Sequence, residues 1–357
     1  MKEVILYGKP SYPYEIVKNS LLNSISKAKL DLRLREIQDI SMFLDNRLQT
    51  IPAVQFQDQI KHLSNQDLIA FVHEVNQWIL EEENYGALQK IIVPIDYSQT
   101  AENALIFAKA YSNDLNGVIK IVHVHQSTQK SNQKAYSRRD IRKEKQKFEK
   151  HLAQLNKTWL GEMEEVVLME GHFKVGRVKD ELQQISGESN DELIILGTKC
   201  DSNTSNQWLG SVAKEMIDES DSTLLIVPPL AEYQGFKNVL IHSGEEDLDI
   251  QLYDKLVNLI RHNQANIHLV QMKEKESLGN APWFSYWYNS PYFDKVSLKS
   301  ISPSQGVSEL EHIIKSQKID LIVSGKKQKD LLKEVVDYGN SALAVFSTLP
   351  VLRIKLS

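Results

Sequence analysis

The chain has 357 residues, with 42 basic and 47 acidic side chains. It is long enough for two or three domains, and its charge balance implies no nucleic-acid or acidic-surface partner. A single cysteine excludes an internal disulfide and a one-chain cysteine cluster on zinc. No apolar run approaches the roughly 18 residues of a membrane helix, and MKEVILYGK reads as a charged lead into a short strand, so the expected compartment is the cytoplasm.

Residues 1–84 read as one unit. EVILY is a strand, Tyr14 to Ala28 a helix, and DLRLREI alternates as a strand does. SMFLDNRL is a short helix with Ser41 as its N-cap, AVQF a strand and QIKHL a further candidate strand. SNQDLIAFVHEVNQWIL carries Leu68, Phe71, Val72, Val75 and Ile79 on one stripe, the mark of an amphipathic helix. The order is βαβαββα. EEENYG then breaks the pattern, and Gly86 suits a helix end or linker.

From Lys90 strands alternate with helices. KIIVPID, VIKIVHVH, EEVVLMEG, ELIILG and TLLIVP read as strands. TAENALIFAKAYSN, RRDIRKEKQKFEKHLAQL, RVKDELQQIS and VAKEMIDES read as the helices between and after them. That alternation predicts a doubly wound parallel sheet. The third segment repeats the second: KNVLIHSGE echoes KIIVPIDYS, IHLVQMK echoes IKIVHVH, IDLIVSGKK echoes DELIILGTK, and LPVLRIK echoes STLLIVP. The predicted domains are therefore 1–84, 87–230 and 236–357, with PPLAEYQG as the connector. The fold class is α/β.

In an open α/β sheet, ligands bind beyond the carboxyl ends of the strands. At that edge of 87–230 stand Pro94, Ile95 and Asp96, with Ser98 following; then Val124; then Leu196 and Gly197; then Gly210, Ser211 and Val212 at a helix start. Gly210 lets backbone N–H groups approach an anion, Ser211 adds a hydroxyl, and a helix N-terminus carries about half a positive charge. Asp96 is placed to accept from an amino group or a ribose hydroxyl.

These residues resemble the universal stress protein family, whose nucleotide-binding members carry Gly-x2-Gly-x9-Gly-Ser/Thr after the fourth strand. Gly197, Cys200, Gly210 and Ser211 fall at that spacing, with Cys200 in place of the second glycine. The resemblance implies an adenine-facing Asp96, Val124 against the base, and ATP or AMP as ligand, with or without magnesium. A non-glycine residue at φ > 0 in place of that glycine costs about 1–2 kcal/mol. The implied function is a nucleotide-binding regulator of stress responses. The alternatives are a nucleotide-free interaction scaffold, a slow ATP hydrolase or phosphotransferase at the same site, and thiol sensing through Cys200 beside Lys199. No general base or metal pair stands out, and an enzyme is the less favoured reading.

The repeat at 236–357 has Ser243 in the place of Asp96 and Ile241 in that of Pro94, with no Gly-Ser pair after Gly325. Its expected role is structural, TLLIVP pairing with VLRIKL about a pseudo-two-fold axis, in a monomer with an internal pseudo-dimer or in a homodimer. YGKPSYPYE resembles the opening of glutaredoxins, with Tyr12 and Glu15 in the cysteine positions, and TIPAV resembles the family's cis-proline loop at Pro52. The resemblance implies a thioredoxin-like fold. With no thiolate, thiol–disulfide exchange is excluded, leaving a redox-dead adaptor or a groove at Lys9, Tyr14 and Pro52 for a glutathione-like or peptide ligand. The run SRRDIRKEKQKFEK reads as a solvated helix face. PWFSYWYNSPYF, at 282–293, reads as an interface or a packing cluster. His123, His125 and His172 lack metal-ligand spacing.

Overall fold

A computed structural model describes residues 2–27, 30–39, 42, 48, 50–57, 59–63, 68–82, 90–115, 117–126, 138–161, 168–187, 192–198, 210–220, 222–243, 263–272, 293–301, 306–324 and 349–354. The predicted helix at 41–48, apart from Met42 and Leu48, Cys200, the aromatic segment 282–292 and the lysine-rich run after Gly325 lie outside the described residues.

The N-terminal elements are β1 (Lys2–Tyr7), α1 (Tyr12–Lys27), β2 (Leu32–Ile37), β3 (Ala53–Phe56), β4 (Gln59–His62) and α2 (Leu68–Glu82). They build a four-stranded sheet in the order β2-β1-β3-β4. Strand β1 runs parallel to β2 and antiparallel to β3, and β3 is antiparallel to β4. The stripe read from α2 is the buried one: Phe71, Val72, Val75 and Ile79 join Val4, Leu6, Tyr14 and Phe56 in one core, with Leu68 at its margin. Trp78 meets Phe56 edge-to-face, ring centroids 5.9 Å apart. Between α1 and α2, Asn76 accepts from Ser24 and donates to Ser20 and to the Val72 carbonyl, so the buried amide is satisfied. At the start of α1, a Cβ on Gly8 would come within 2.6 Å of the Tyr14 ring; glycine there leaves Tyr14 room to reach Glu36, to which its hydroxyl donates at 2.6 Å. The Ile51–Pro52 peptide bond is cis.

The remaining strands form a ten-stranded sheet. Its first five are β5 (Lys90–Pro94), β6 (Val118–Gln126), β7 (Leu168–Gly176), β8 (Glu192–Gly197) and β9 (Thr223–Val227). Helices α3 (Gln99–Leu115), α4 (Arg138–Gly161), α5 (Val178–Ser186) and α6 (Gly210–Glu219) alternate with them. The other five are β10 (Asn238–Ser243), β11 (Asn266–Met272), β12 (Val296–Ile301), β13 (Leu321–Ser324) and β14 (Val351–Arg353), with α7 (Gly306–Ser316) before β13. The order across the sheet is β12-β11-β10-β13-β14-β9-β8-β5-β6-β7. From the middle outwards each half runs fifth, fourth, first, second, third strand, so the echo in sequence is also an echo in topology. At the junction β14 pairs antiparallel with β9, Leu352 opposite Leu225, the pairing expected of TLLIVP and VLRIKL. Strand β7 runs on to Gly176, past the expected end at Gly171, and β12 with α7 was not foreseen.

The chain divides into two compact units, one of Met1–Ile91, Ser112–His123 and Thr128–Phe173, the other of Ile92–Tyr111, Val124–Ser127 and Lys174–Ser357. All described candidate site residues belong to the second. In that unit the connector is held to α3 by aromatic packing, Tyr233 against Phe107 and Tyr111 at 5.5 and 5.2 Å. Asn103 donates to the Pro229 carbonyl. Asp320 closes the start of β10 by accepting from the backbone N–H groups of Lys237 and Asn238 at 2.8 and 3.1 Å. Burial outweighs these donors and pushes the Asp320 carboxyl up from its ordinary value. A cavity of about 200 Å³ lies here, lined by Tyr233, Phe236 and Asp320 among others. No helix among the described residues is long and apolar enough to cross a membrane.

Candidate functional site

Strands β8, β5 and β6 are consecutive in the sheet, which makes neighbours of the strands that carry Leu196, Pro94 and Val124. Pro94 is the last residue of β5 and is half-buried; Ile95 is buried and Asp96 exposed. The turn that follows is built from side chains. The Asp96 carboxylate accepts the Ser98 N–H at 3.0 Å. Tyr97 between them adopts φ 62°, a left-handed backbone that costs a bulky residue energy and persists only where its surroundings over-determine it. The Ser98 hydroxyl caps the first turn of α3, accepting from the Ala101 N–H at 3.3 Å, and lies 2.9 Å from the Thr100 hydroxyl.

Gly197 ends β8 against that turn. A Cβ built on it would lie 2.1 Å from the Thr100 carbonyl oxygen and 2.7 Å from its carbon. Only glycine allows this approach, because the obstacle is backbone. The glycine of the predicted phosphate loop therefore has a packing reason of its own: it lets the start of α3 close on the end of β8. The residue after it, Thr198, is buried, and its N–H bonds the Val227 carbonyl of β9 at 3.1 Å.

The described contacts bring Asp96, Ser98, Thr100 and Gly197 together. Val124 is half-buried in β6, one residue beyond His123. Ile95 and Leu196 are 4% and 2% exposed, so their side chains belong to the core and only their main chains face the edge. Gly210, Ser211 and Val212 form the first turn of α6, with Ser211 exposed and Val212 half-buried. Further along, α6 is fixed to the start of α5: Arg177 bonds Glu215, and Lys179 reaches Glu219 at 2.6 Å. The hydrogen bond and charge of Lys179 hold the Glu219 carboxyl below its usual value.

Sequence reasoning missed Thr100 and Tyr97. Nothing in Thr100 announces that its carbonyl meets a glycine 97 positions later, and Tyr97 is not a residue type that signals positive φ. Ser98 stands out in the sequence only as following Asp96; its role as the cap of α3 comes from the structure, although Asp-x-Ser before a helix is a turn-and-cap pattern.

Residues 87–228 match the model of the Universal stress protein family. They form a Usp domain. No curated protein matches the chain. Among solved structures, the chain is similar to a universal stress protein from Archaeoglobus fulgidus DSM 4304, at 16% identity and a TM-score of 0.52, covering 75% of this chain and 96% of that one. A functionally unknown protein from Pseudomonas aeruginosa PAO1 is similar at 13% identity and a TM-score of 0.45, over 75% and 92% of the two chains. A universal stress protein family member from Burkholderia pseudomallei matches at 20% identity and a TM-score of 0.29, over 39% of this chain and 95% of its own. The archaeal likeness shows the fold alone. The carboxyl edge of β5 and β8 in the Usp domain is then the place where a ligand of an open α/β sheet is to be sought.

Proposed function

We propose that the Usp domain binds an adenine nucleotide, ATP or AMP, and acts as a regulatory stress-response protein rather than an enzyme. The observation that supports this best is the approach of Gly197 to Thr100, which sets the Asp96 turn directly against the end of β8. In this reading the phosphates rest on main-chain N–H groups of Gly197, Gly210, Ser211 and Val212, where the N-terminus of α6 favours negative charge. Adenine and ribose meet Pro94, Val124 and the Asp96 carboxylate, with the main chains of Ile95 and Leu196 beneath. Magnesium, if it accompanies ATP, rides on the phosphates. Isothermal calorimetry of the full chain with ATP and with AMP tests the reading. Saturable binding at one site, weakened by Asp96→Ala, is expected; no heat and no thermal shift at millimolar nucleotide would overturn it.

A nucleotide-free scaffold is the second reading, and it accounts for Gly197 equally well, since that glycine is required by the Thr100 carbonyl whether or not phosphate binds.

The proposal extends to architecture. The repeated strand order supports two Usp-like halves in one chain, and the archaeal fold likeness spans more of the chain than residues 87–228. The order β2-β1-β3-β4 supports a thioredoxin-like N-terminal unit. With Tyr12 and Glu15 in place of thiols, that unit serves as an adaptor.

A further inference from the structure

Helix α4 buries one side and leaves the other in water. Phe148 and Trp159 are 2% and 7% exposed, and Ile141, Leu152 and Leu155 lie on the same side, half-buried. With 100° between successive residues, the direction opposite Phe148 is occupied by Arg139, Arg142, Lys143, Gln146, Lys150, Ala153, Gln154 and Lys157, all exposed. No carboxylate lies on this stripe. The helix's three acids stand off this stripe: Asp140 is exposed about 80° round the helix from Phe148, Glu144 turns toward His123 at 3.9 Å, and Glu149 lies 3.9 Å from Lys145. A charge-mixed helix has thus been sorted, with carboxylates at the flanks and cations outermost, in a chain whose net charge is −5.

The spacing narrows what such a face fits. Lys143, Lys150 and Lys157 recur every seven residues, with Gln146 and Ala153 between them at steps of three and four. Side chains at that spacing stay in line along a straight helix to within about 20° per heptad, and a second helix packs along such a line at a shallow angle. From Arg139 to Lys157 the line is about 27 Å long at 1.5 Å per residue. We infer that the outer face of α4 docks an acidic helix of a protein partner, carboxylates at heptad spacing meeting Lys143, Lys150 and Lys157.

Two other anionic partners fit less well. The stripe has no aromatic residue on which bases stack and no large apolar residue to enter a bilayer. Docking is independent of the nucleotide reading, because no stripe residue belongs to the Asp96 and Gly197 site.

The test is fluorescence anisotropy with the full chain. The probes are a labelled synthetic helix of about four heptads with glutamate at each first position, a scrambled helix of identical composition, a duplex RNA of similar length, and phosphatidylserine vesicles. Binding of the heptad helix in preference to the other three is expected. The triple variant Lys143→Glu, Lys150→Glu, Lys157→Glu should weaken it at least about tenfold, as three exposed ion pairs allow. All three side chains are exposed, so far-UV circular dichroism should be unchanged, and a helix with lysine at the heptad positions should bind the variant in turn. Equal binding of the scrambled helix, tighter binding of RNA or vesicles, or no binding of the heptad helix would each overturn the inference.

Discussion

At Pro94 the backbone of β5 leaves the sheet; at Ile241, the matching position of β10, it stays. Proline has no N–H to continue a ladder, and two residues later Asp96 and Ser98 fold the chain into α3. In β10, Ile241 pairs with Leu269 on one side and Val323 on the other, and the strand continues to Ser243 opposite Gln271. One half thus ends its first strand in a turn that presents a carboxylate and a helix N-terminus, while the other fills the same place with paired strand. Two halves of like strand order diverge here through the few residues that decide where a strand stops.

The comparison is broken most directly by exchanging those residues. Ile241→Pro removes a ladder hydrogen bond from a strand paired on both sides and should cost about 3 kcal/mol or more; Pro94→Ile, at a strand end, should cost under about 1 kcal/mol. Urea unfolding of both variants checks the difference, and equal losses would mean that the two strand ends are equivalent.

Next in size is Gly197→Ala. Its methyl would meet the Thr100 carbonyl, so destabilisation near the upper end of about 1–3 kcal/mol is expected. A stability loss in the absence of nucleotide would confirm a packing role; a loss of nucleotide binding alone would not.

Asp96→Ala removes one exposed turn hydrogen bond and should lower stability by only about 0.5–1 kcal/mol, while weakening nucleotide binding about tenfold in calorimetry. A stability change without a binding change would leave Asp96 as a turn former only.

The smallest effects concern pH and run in opposite directions in the two units. The hydrogen bond from Tyr14, together with Lys18, holds the Glu36 carboxyl below its usual value, so its contribution is present above the unfolded pKa and is lost as pH falls through the folded one. Asp320 has a raised folded value, so its contribution is present below the unfolded pKa and is lost as pH rises through the folded one. Between about pH 3 and 6, Glu36→Gln should flatten the acid loss of stability and Asp320→Asn the opposing slope, each measured by denaturant unfolding against the parent chain.

Much of the α/β framework was legible because buried strands such as IIVP, LIIL and TLLIV are unbroken apolar runs, and α2 shows one apolar stripe. Strand β12, VSLKSI, is short and breaks its alternation at Lys299 and Ser300, and it escaped although Asn289, Ser290 and Pro291 precede it. At the candidate site, the places of Asp96 just after β5, Gly197 at the end of β8 and Gly210 at the start of α6 were legible from the strand and helix pattern. The reason for Gly197 was not, because it resides in the backbone of Thr100, distant in sequence and close only after folding. The Glu36 partnership with Tyr14 was hidden for the same reason: contacts between elements leave no local pattern.

The central claim is that the N-terminus of α6 seats phosphate beside the Asp96 turn. Titrating ATP calorimetrically into the full chain and into Gly210→Asp tests it most directly, because aspartate is well tolerated at a helix start while its charge repels phosphate. One site in the parent chain and a loss of at least about a hundredfold in the variant is the predicted result. Equal affinity in both proteins, or none in either, would contradict it.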